Sequence, residues 1–464
     1  MIYWLLQFAD LVYYHIFHIF FIFGAFCWFI WLLRLIRSAP YKPFIANELV
    51  RPPVTILVPI YNEQPDALVE SLGSMIKYTS AEDEILALVD VRDKTAREPG
   101  GMLHHPRLKV VVAPPGKRQA LIAGFNAATN SIVMVTGSDT QFHKDTVNEI
   151  VKPFSDPKVG GVTGQVVTSN DKGIGAKCYE WGLVLRNKMI YPAMSRSNTV
   201  HVLNGECYAV RRDLAVLLQT EFTNQKFLGR LCDSGDDGWM TTLLLKYDYR
   251  TVYQATAIAY TNPPASFGKF LRQQLRWNRN STRRSLMVLT QGWAYKRGFM
   301  YPFQLIIALV KLPFWIVVIV LAAIRFFTGH DIGVVAASWF DPAWHTFRPL
   351  IFLAGVIIIR GLRGLPYLIS EPKALLFLPA YAFITPFILA PYKLYAMLTA
   401  RNTQWLTRGP EMKEKDKVVE KEQVRERRTL TAFATVSAAI LVTVISIPVL
   451  AFAVALADDE ADAY

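Results

Sequence analysis

Charge is scarce in this sequence. Only 19% of its 464 residues are Asp, Glu, Lys or Arg against 52% hydrophobic, a balance that excludes a chain soluble along its whole length and assigns part of it to lipid. Cysteine is scarcer still. Cys27, Cys178, Cys207 and Cys232 are too widely spaced for a disulfide framework or a zinc-ligand pattern, so the soluble part is expected in a reducing compartment. The first apolar run also lacks a preceding basic segment and is followed by Arg34 and Arg37, which reads as a retained span rather than a cleaved signal. Acidic residues are the minority, leaving a net charge of +13. The basic residues crowd beside the apolar segments, at Arg34, Arg37, Lys42, Arg51, Arg276 to Arg284, Arg360, Arg363 and Arg401 to Arg428. That distribution favours a cytoplasmic membrane surface, with some charge left for a pyrophosphate, over a nucleic-acid partner, for which no stacked aromatic platform is evident.

Long apolar runs are what the chain has in place of charge. Val12 to Ile36, Tyr301 to Phe327 and Leu430 to Leu456 each exceed the roughly 20 residues a spanning helix needs. Between the second and third lie Phe347 to Ile359 and the proline-interrupted stretch Ala374 to Leu398, with Pro379, Pro386 and Pro391. If the basic stretches at 360–373 and 401–428 share one side, the proline-broken stretch does not cross, and it reads as an interfacial or re-entrant pair of helices. The alternative is that it spans. The expected divisions are an N-terminal span over 1–36, a cytoplasmic domain over 50–262, interfacial helices over 263–298, spanning and interfacial helices over 299–399, a cytoplasmic loop and charged helix over 400–428, and a last span over 429–457.

The stretch from Arg51 to Arg284 alternates charged and apolar segments in the manner of one soluble core. Val54 to Ile60 predicts a buried strand, Pro65 to Lys77 a helix, Ile85 to Val89 a second strand and Leu108 to Val112 a third. A Pro-Pro-Gly turn, a helix from Arg118 to Ala128 and a strand from Ile132 to Val135 follow. This rhythm predicts an α/β domain with an open, mostly parallel sheet, flanked by transmembrane and interfacial helices. Ligands of such sheets bind at the carboxyl ends of the strands. Polar residues collect there: Tyr61, Asn62 and Glu63 after the first strand, Asp90 after the second, Lys117 after the third, Ser138 and Asp139 after the fourth. A carboxylate at that rim can hold a divalent cation and a lysine can meet a phosphate, which together describe a nucleotide-diphosphate site.

Two further constellations stand downstream. Gln273, Arg276 and Trp277 are spaced i, i+3, i+4 on a predicted helix after Asn262-Pro-Pro264 and share one face. An indole suits a sugar ring and a guanidinium a diphosphate, while Arg279, Arg283 and Arg284 are expected to face anionic lipid. Asp236 and Asp237 precede Trp239 to Leu245 as acidic residues opening a helix, whose dipole is expected to keep a base at Asp237 ionised.

Taken in order, Pro59-Ile-Tyr-Asn-Glu63, Val89-Asp90, Gly116-Lys-Arg-Gln-Ala120, Ser138-Asp-Thr140, Asn204-Gly-Glu-Cys-Tyr208, Gly235-Asp-Asp237, Gln273-Gln-Leu-Arg-Trp277 and Gln404-Trp-Leu-Thr-Arg408 resemble the processive family 2 glycosyltransferases, of the hyaluronan and chitin synthase kind, from Val54 to about Arg408. The resemblance implies a membrane-embedded, inverting polymerase of a nucleotide-sugar, in particular a UDP-sugar, in the plasma membrane, with the growing polysaccharide as acceptor. Tyr61, Glu63, Asp90, Lys117 and Ser138 would then line the donor site. Asp139 would bind Mg²⁺ or Mn²⁺, Asp237 would act as base and Asp236 would orient it or the acceptor. Gln273, Arg276 and Trp277 would meet the acceptor and diphosphate, and Trp405 and Arg408 would belong to a gating loop. The chain departs from the pattern twice. Gly137 stands where the family's first metal-site aspartate usually is, leaving more of the metal's coordination to the nucleotide's own phosphates, and Leu406 replaces a gating-loop glycine. The alternative activity is single transfer to a lipid carrier.

Overall fold

The computed structural model describes residues 22–45, 51–93, 105–169, 173–327 and 348–403. The chain divides into two compact units, one of Arg34–Ala308 with Ala396–Gly409 and one of the remainder.

The first unit is built on an eight-stranded sheet. Its apolar runs form β1 (Val54–Ile60), β2 (Glu84–Asp90), β3 (Leu108–Ala113) and β4 (Ile132–Thr136), paired in parallel in the order β3-β2-β1-β4. Every residue of β2 and β4 is buried, as strands covered on both faces require, whereas the edge strand β3 is buried only at Leu108 and Ala113. The connecting helices are α1 (Pro65–Tyr78) and α2 (Lys117–Ala127). In α1 a proline opens the first turn, where its missing N–H costs nothing, and Leu68, Leu72 and Met75 bury one face. Gly124 lets α2 approach the sheet, since a Cβ there would stand 2.7 Å from Leu88 Cδ1.

Beyond β4 the sheet is mixed. It continues through β5 (Thr140–Phe142), β6 (Val159–Thr168) and β7 (Cys207–Arg211), past a separate hairpin of β8 (Lys226–Phe227) and β9 (Arg230–Leu231), to β10 (Arg250–Thr261). The pairs β4·β7, β6·β7 and β10·β5 are antiparallel and β6·β10 is parallel. In the β4·β7 ladder Thr136 faces Cys207. The same register therefore sets Gly137 opposite Glu206. This is the α/β domain with a mostly parallel sheet that the strand and helix rhythm predicts, and the GT-A-like fold that the resemblance implies.

Three helices complete the site's scaffold: α3 (Ile174–Leu185), α4 (Asp236–Lys246) and α5 (Phe267–Thr290). α5 starts after the predicted Asn-Pro-Pro breaker, capped by Ser266, whose hydroxyl accepts from the Lys269 N–H at 3.2 Å. One expectation for α5 fails. Arg279, Arg283 and Arg284 do not face lipid but are 2%, 2% and 7% exposed. Arg279 donates to Thr399 Oγ1 at 2.8 Å, and Arg283 donates to the Ala400 and Asn402 carbonyls at 3.0 and 2.8 Å. The forked donors of Arg279 and Arg283 are satisfied by a turn's hydroxyl and carbonyl oxygens inside the protein in place of headgroup phosphates.

The second unit is helical. It contains the first part of a helix over 22–38, most of α6 (Met300–Phe327) and α7 (Arg348–Arg363). Trp31 Nε1 donates to the Arg363 carbonyl at 3.3 Å, and the Arg363 guanidinium lies 5.0 Å from the Trp28 ring centroid. The stretch predicted to break into a helical pair is instead one unbroken run, Pro372–Leu398. It passes through a 3₁₀ turn (Pro372–Phe377), an α segment (Leu378–Ile384), a π turn (Thr385–Leu389) and a final α segment (Ala390–Leu398). Each proline falls in the first turn of one of these segments, where its missing N–H and fixed φ are tolerated, so the hydrogen-bond register changes and the axis continues. Among the described residues this is the one helix long and apolar enough to cross a membrane. The predicted span over Leu430 to Leu456 and the charged helix over Glu411 to Arg428 lie outside the described residues, as does the first part of the span over Val12 to Ile36.

Candidate active site

The parallel half of the sheet brings its strand ends to one rim. After β1, Asn62 takes a left-handed backbone conformation (φ 51°), and its N–H donates to Asp93 Oδ2 at 2.7 Å. Beside it the Arg92 guanidinium lies over the Tyr61 ring, 4.8 Å from the centroid. Asp90, at the end of β2, holds that guanidinium through Oδ2 at 2.7 Å and accepts from the Gly116 N–H at 3.1 Å. Burial pushes the Asp90 carboxyl up, but these donors outweigh it and hold it below its ordinary value. Arg92 and Asp93 are functional neighbours that the sequence reading missed. Their signal was the run Asp90-Val-Arg-Asp93 at a strand exit.

Lys117 opens α2 and reaches 3.0 Å from Asp236 Oδ2, at the start of α4. The helix start after β3 is thereby joined to the helix start that follows the β8–β9 hairpin. Burial alone would lower the Lys117 ammonium, yet Asp236, Asp237 and Glu206 together raise it, so it stays a cation. Burial likewise pushes Asp236 up, and the Lys117 charge and hydrogen bond bring it below its usual range. Asp237 moves the opposite way. It is half-buried, its Oδ1 accepts from the Gly238 N–H at 2.7 Å, and its carboxyl is raised by burial and then by the Asp236 charge. The helix start was expected to keep Asp237 ionised; desolvation and a like charge push its carboxyl the other way, above its ordinary value. Gly205 makes room for it, since a Cβ there would lie 3.3 Å from Asp237 Oδ2. Ser234, Asn280, Arg283 and Arg284 help line a cavity of about 30 Å³ against Asp237, the size of roughly one water.

The two remaining strand-end residues also meet partners. Ser138 donates to Glu63 Oε2, joining the β1 and β4 ends. Asp139 follows, partly buried, and the Thr140 hydroxyl donates to Glu206 Oε2 at 2.9 Å. On α5, the Trp277 ring lies 6.0 Å from that of Tyr179, with the Arg186 guanidinium 5.5 Å from the indole centroid. The Gln273 amide oxygen is buried with no hydrogen-bond partner among the described residues. Tyr179, another residue missed from sequence, ties the halves together. Its hydroxyl is raised by burial, with Glu206 and Asp139 adding to the shift and Arg186 and Arg276 opposing it. Trp405 and Arg408 lie outside the described residues, although the turn before them, 399–402, is held by Arg279 and Arg283. A larger cavity of about 420 Å³ lies elsewhere, along α1 and β5, and contains none of these groups.

Known proteins resemble the chain over the same region. Residues 52–280 match the family described as "Glycosyltransferase like family 2". An N-acetylglucosaminyltransferase of Sinorhizobium fredii is 29% identical over 77% of this chain and 84% of its own length. A hyaluronan synthase of Streptococcus pyogenes is 24% identical over 76% and 83%. Among solved structures, a Pyrobaculum calidifontis mannosyltransferase in complex with GDP-Man and Mn²⁺ aligns with a TM-score of 0.52 over 82% of this chain and 96% of its own, at 20% identity, a likeness of fold.

Proposed function

Residues 52–280 are a glycosyltransferase family 2 domain, so this chain is a glycosyl-transferring enzyme, and from that premise we propose that it polymerises sugar processively from a UDP-sugar, with inversion, at the cytoplasmic face of a membrane. The observation that carries the reading is the Lys117–Asp236 pair at 3.0 Å with Asp237 next in the chain. It sets a phosphate-seeking cation beside a carboxylate that burial has made more basic. The names of the rhizobial and streptococcal relatives direct the choice of donor toward UDP-N-acetylglucosamine.

In this reading Tyr61, Glu63, Asp90 and Ser138 line the nucleotide, and Lys117 meets the diphosphate. Asp237 removes the proton of the acceptor hydroxyl as its oxygen attacks the anomeric carbon, and the bond to the diphosphate breaks on the opposite face. Asp236, anchored by Lys117, fixes the position of Asp237 through the first turn of α4. Trp277 stacks on the acceptor's terminal sugar, Gln273 offers its amide oxygen to a hydroxyl, and Arg276 faces the leaving group.

The residues present fit Mg²⁺ or Mn²⁺ held jointly with the nucleotide. Among the described residues no group of three His, Cys, Asp or Glu forms a cage, and a divalent ion bridging a diphosphate commonly keeps only one or two protein carboxylates. Asp139 is the assigned ligand. When bound, such an ion neutralises charge on the departing diphosphate.

The test incubates the purified chain in detergent with Mn²⁺ and single UDP- or GDP-sugars, following released nucleotide and product length. UDP release with a lengthening polymer is expected. Release that stops at one sugar on a lipid would replace polymerisation with single transfer.

A further inference from the structure

Gly137 interrupts the pair of carboxylates expected at the end of β4, and the structure shows what fills the gap. A Cβ added at Gly137 would overlap Glu206 Oε2, with Thr140 Oγ1 at 2.7 Å and Asp139 Oδ1 at 2.9 Å. The space of the missing side chain is thus occupied by a different carboxylate, and its oxygen and one from Asp139 converge on a single point. The register explains how. Thr136 pairs with Cys207 in the antiparallel β4·β7 ladder, so residue 206 lies directly across from residue 137, where a long side chain can fold over a glycine. Three hydrogen bonds hold it in place. Thr140 Oγ1 donates to Glu206 Oε2 at 2.9 Å, Thr136 Oγ1 donates to the Glu206 carbonyl at 3.0 Å, and the Glu206 N–H donates to Asn204 Oδ1 at 3.3 Å.

We infer that Glu206 is the second protein ligand, with Asp139, of the divalent cation carried by the donor diphosphate, delivered across the β4·β7 ladder in place of a carboxylate at position 137. The inference rests on the nucleotide-diphosphate site of the proposed function. Two carboxylates plus phosphate oxygens and water complete the oxygen shell such an ion prefers, and Gly137 becomes a requirement of the arrangement instead of a defect in it.

The experiment measures Mn²⁺ binding by electron paramagnetic resonance, and UDP binding by calorimetry with Mn²⁺ or with EDTA, on the full chain in detergent. Glu206→Gln, nearly the same size, should weaken Mn²⁺-dependent UDP binding by about tenfold or more, while binding in EDTA stays within twofold. The double variant Glu206→Ala with Gly137→Asp should recover most of the Mn²⁺-dependent affinity, because it returns the carboxylate to the same point from the other strand. Wild-type Mn²⁺ affinity in Glu206→Gln, an equal loss with and without metal, or no recovery in the double variant would each overturn the assignment. Failure of the unmutated chain to bind Mn²⁺ with UDP or with GDP would instead remove the nucleotide-diphosphate reading beneath it.

Discussion

Asp237 and Asp236 are adjacent in sequence and shifted in opposite directions. The raised carboxyl of Asp237 populates its base form only above a pH higher than a free aspartate requires, so the acid limb of kcat/KM should lie above the ordinary aspartate range. Asp236→Asn removes the like charge that is the second cause of the shift, and the limb should move to lower pH. A pH profile of nucleotide release measures both, and an unmoved limb would dissociate the pair. Asp237→Asn should lower transfer by a factor on the order of 10² to 10⁴ with donor binding retained, read by turnover beside calorimetry. What the sequence revealed at this scale were residues that a strand end must present: Asp90, Lys117 and Asp139 lie where the strand rhythm put them. Arg92 shielding Tyr61, Tyr179 between Trp277 and the carboxylates, and Glu206 opposite Gly137 depend on cross-strand and interhelical neighbours. No spacing along the chain encodes those.

α5 carries two groups in succession along its length. The first is Gln273, Arg276 and Trp277, and beyond them Arg279 and Arg283 are buried against the turn at 399–402. Arg283 also donates to Ser234 Oγ at 3.2 Å, next to the left-handed Gly235 that starts α4. Arg283→Ala strands two carbonyls, each costing about 1 to 3 kcal/mol when left buried and unpaired, so hydrogen exchange at 399–403 should accelerate and the unfolding midpoint should fall. Arg283→Lys should restore little, because a single ammonium lacks the fork that reaches both carbonyls and Ser234. At Trp277 the expected outcome is a split: Trp277→Ala should shorten polymer more than it slows nucleotide release without acceptor, since stacking on an aromatic is worth roughly 1 to 3 kcal/mol by analogy with nucleic-acid bases. A proportional fall in both would make the indole a structural neighbour of Tyr179 only. The helix itself was legible from its breaker and spacing. Its arginine face was not, because a basic stripe reads alike whether it meets headgroups or buried carbonyls.

For the whole molecule the open quantity is the number of crossings. The Pro372–Leu398 run has the length and composition to span, and it leads into a turn that hydrogen-bonds to α5 within the catalytic unit. With the segments predicted at both chain ends spanning, Lys415→Cys should react with an impermeant thiol reagent only after cells are opened, and Ala461→Cys in intact cells. Labelling of Lys415→Cys in intact cells, with Ala461→Cys then reacting only in opened ones, would mean that the run crosses and would part Trp405 from the catalytic side. Here lengths were legible in the sequence but paths were not, since proline positions that look like breaks are absorbed by changes of helical register.

The four cysteines give these labelling experiments a practical footing. Cys27, Cys178, Cys207 and Cys232 are all buried with free thiols, and the chain has no others. Burial also raises the Cys178 and Cys207 thiols to about 12, leaving almost none of the reactive thiolate at neutral pH. An engineered cysteine is therefore read against a silent background without first stripping the native ones. For the same reason the purified protein should keep in air without reductant and run as a single species on a non-reducing gel, with no covalent dimer to be mistaken for an assembly.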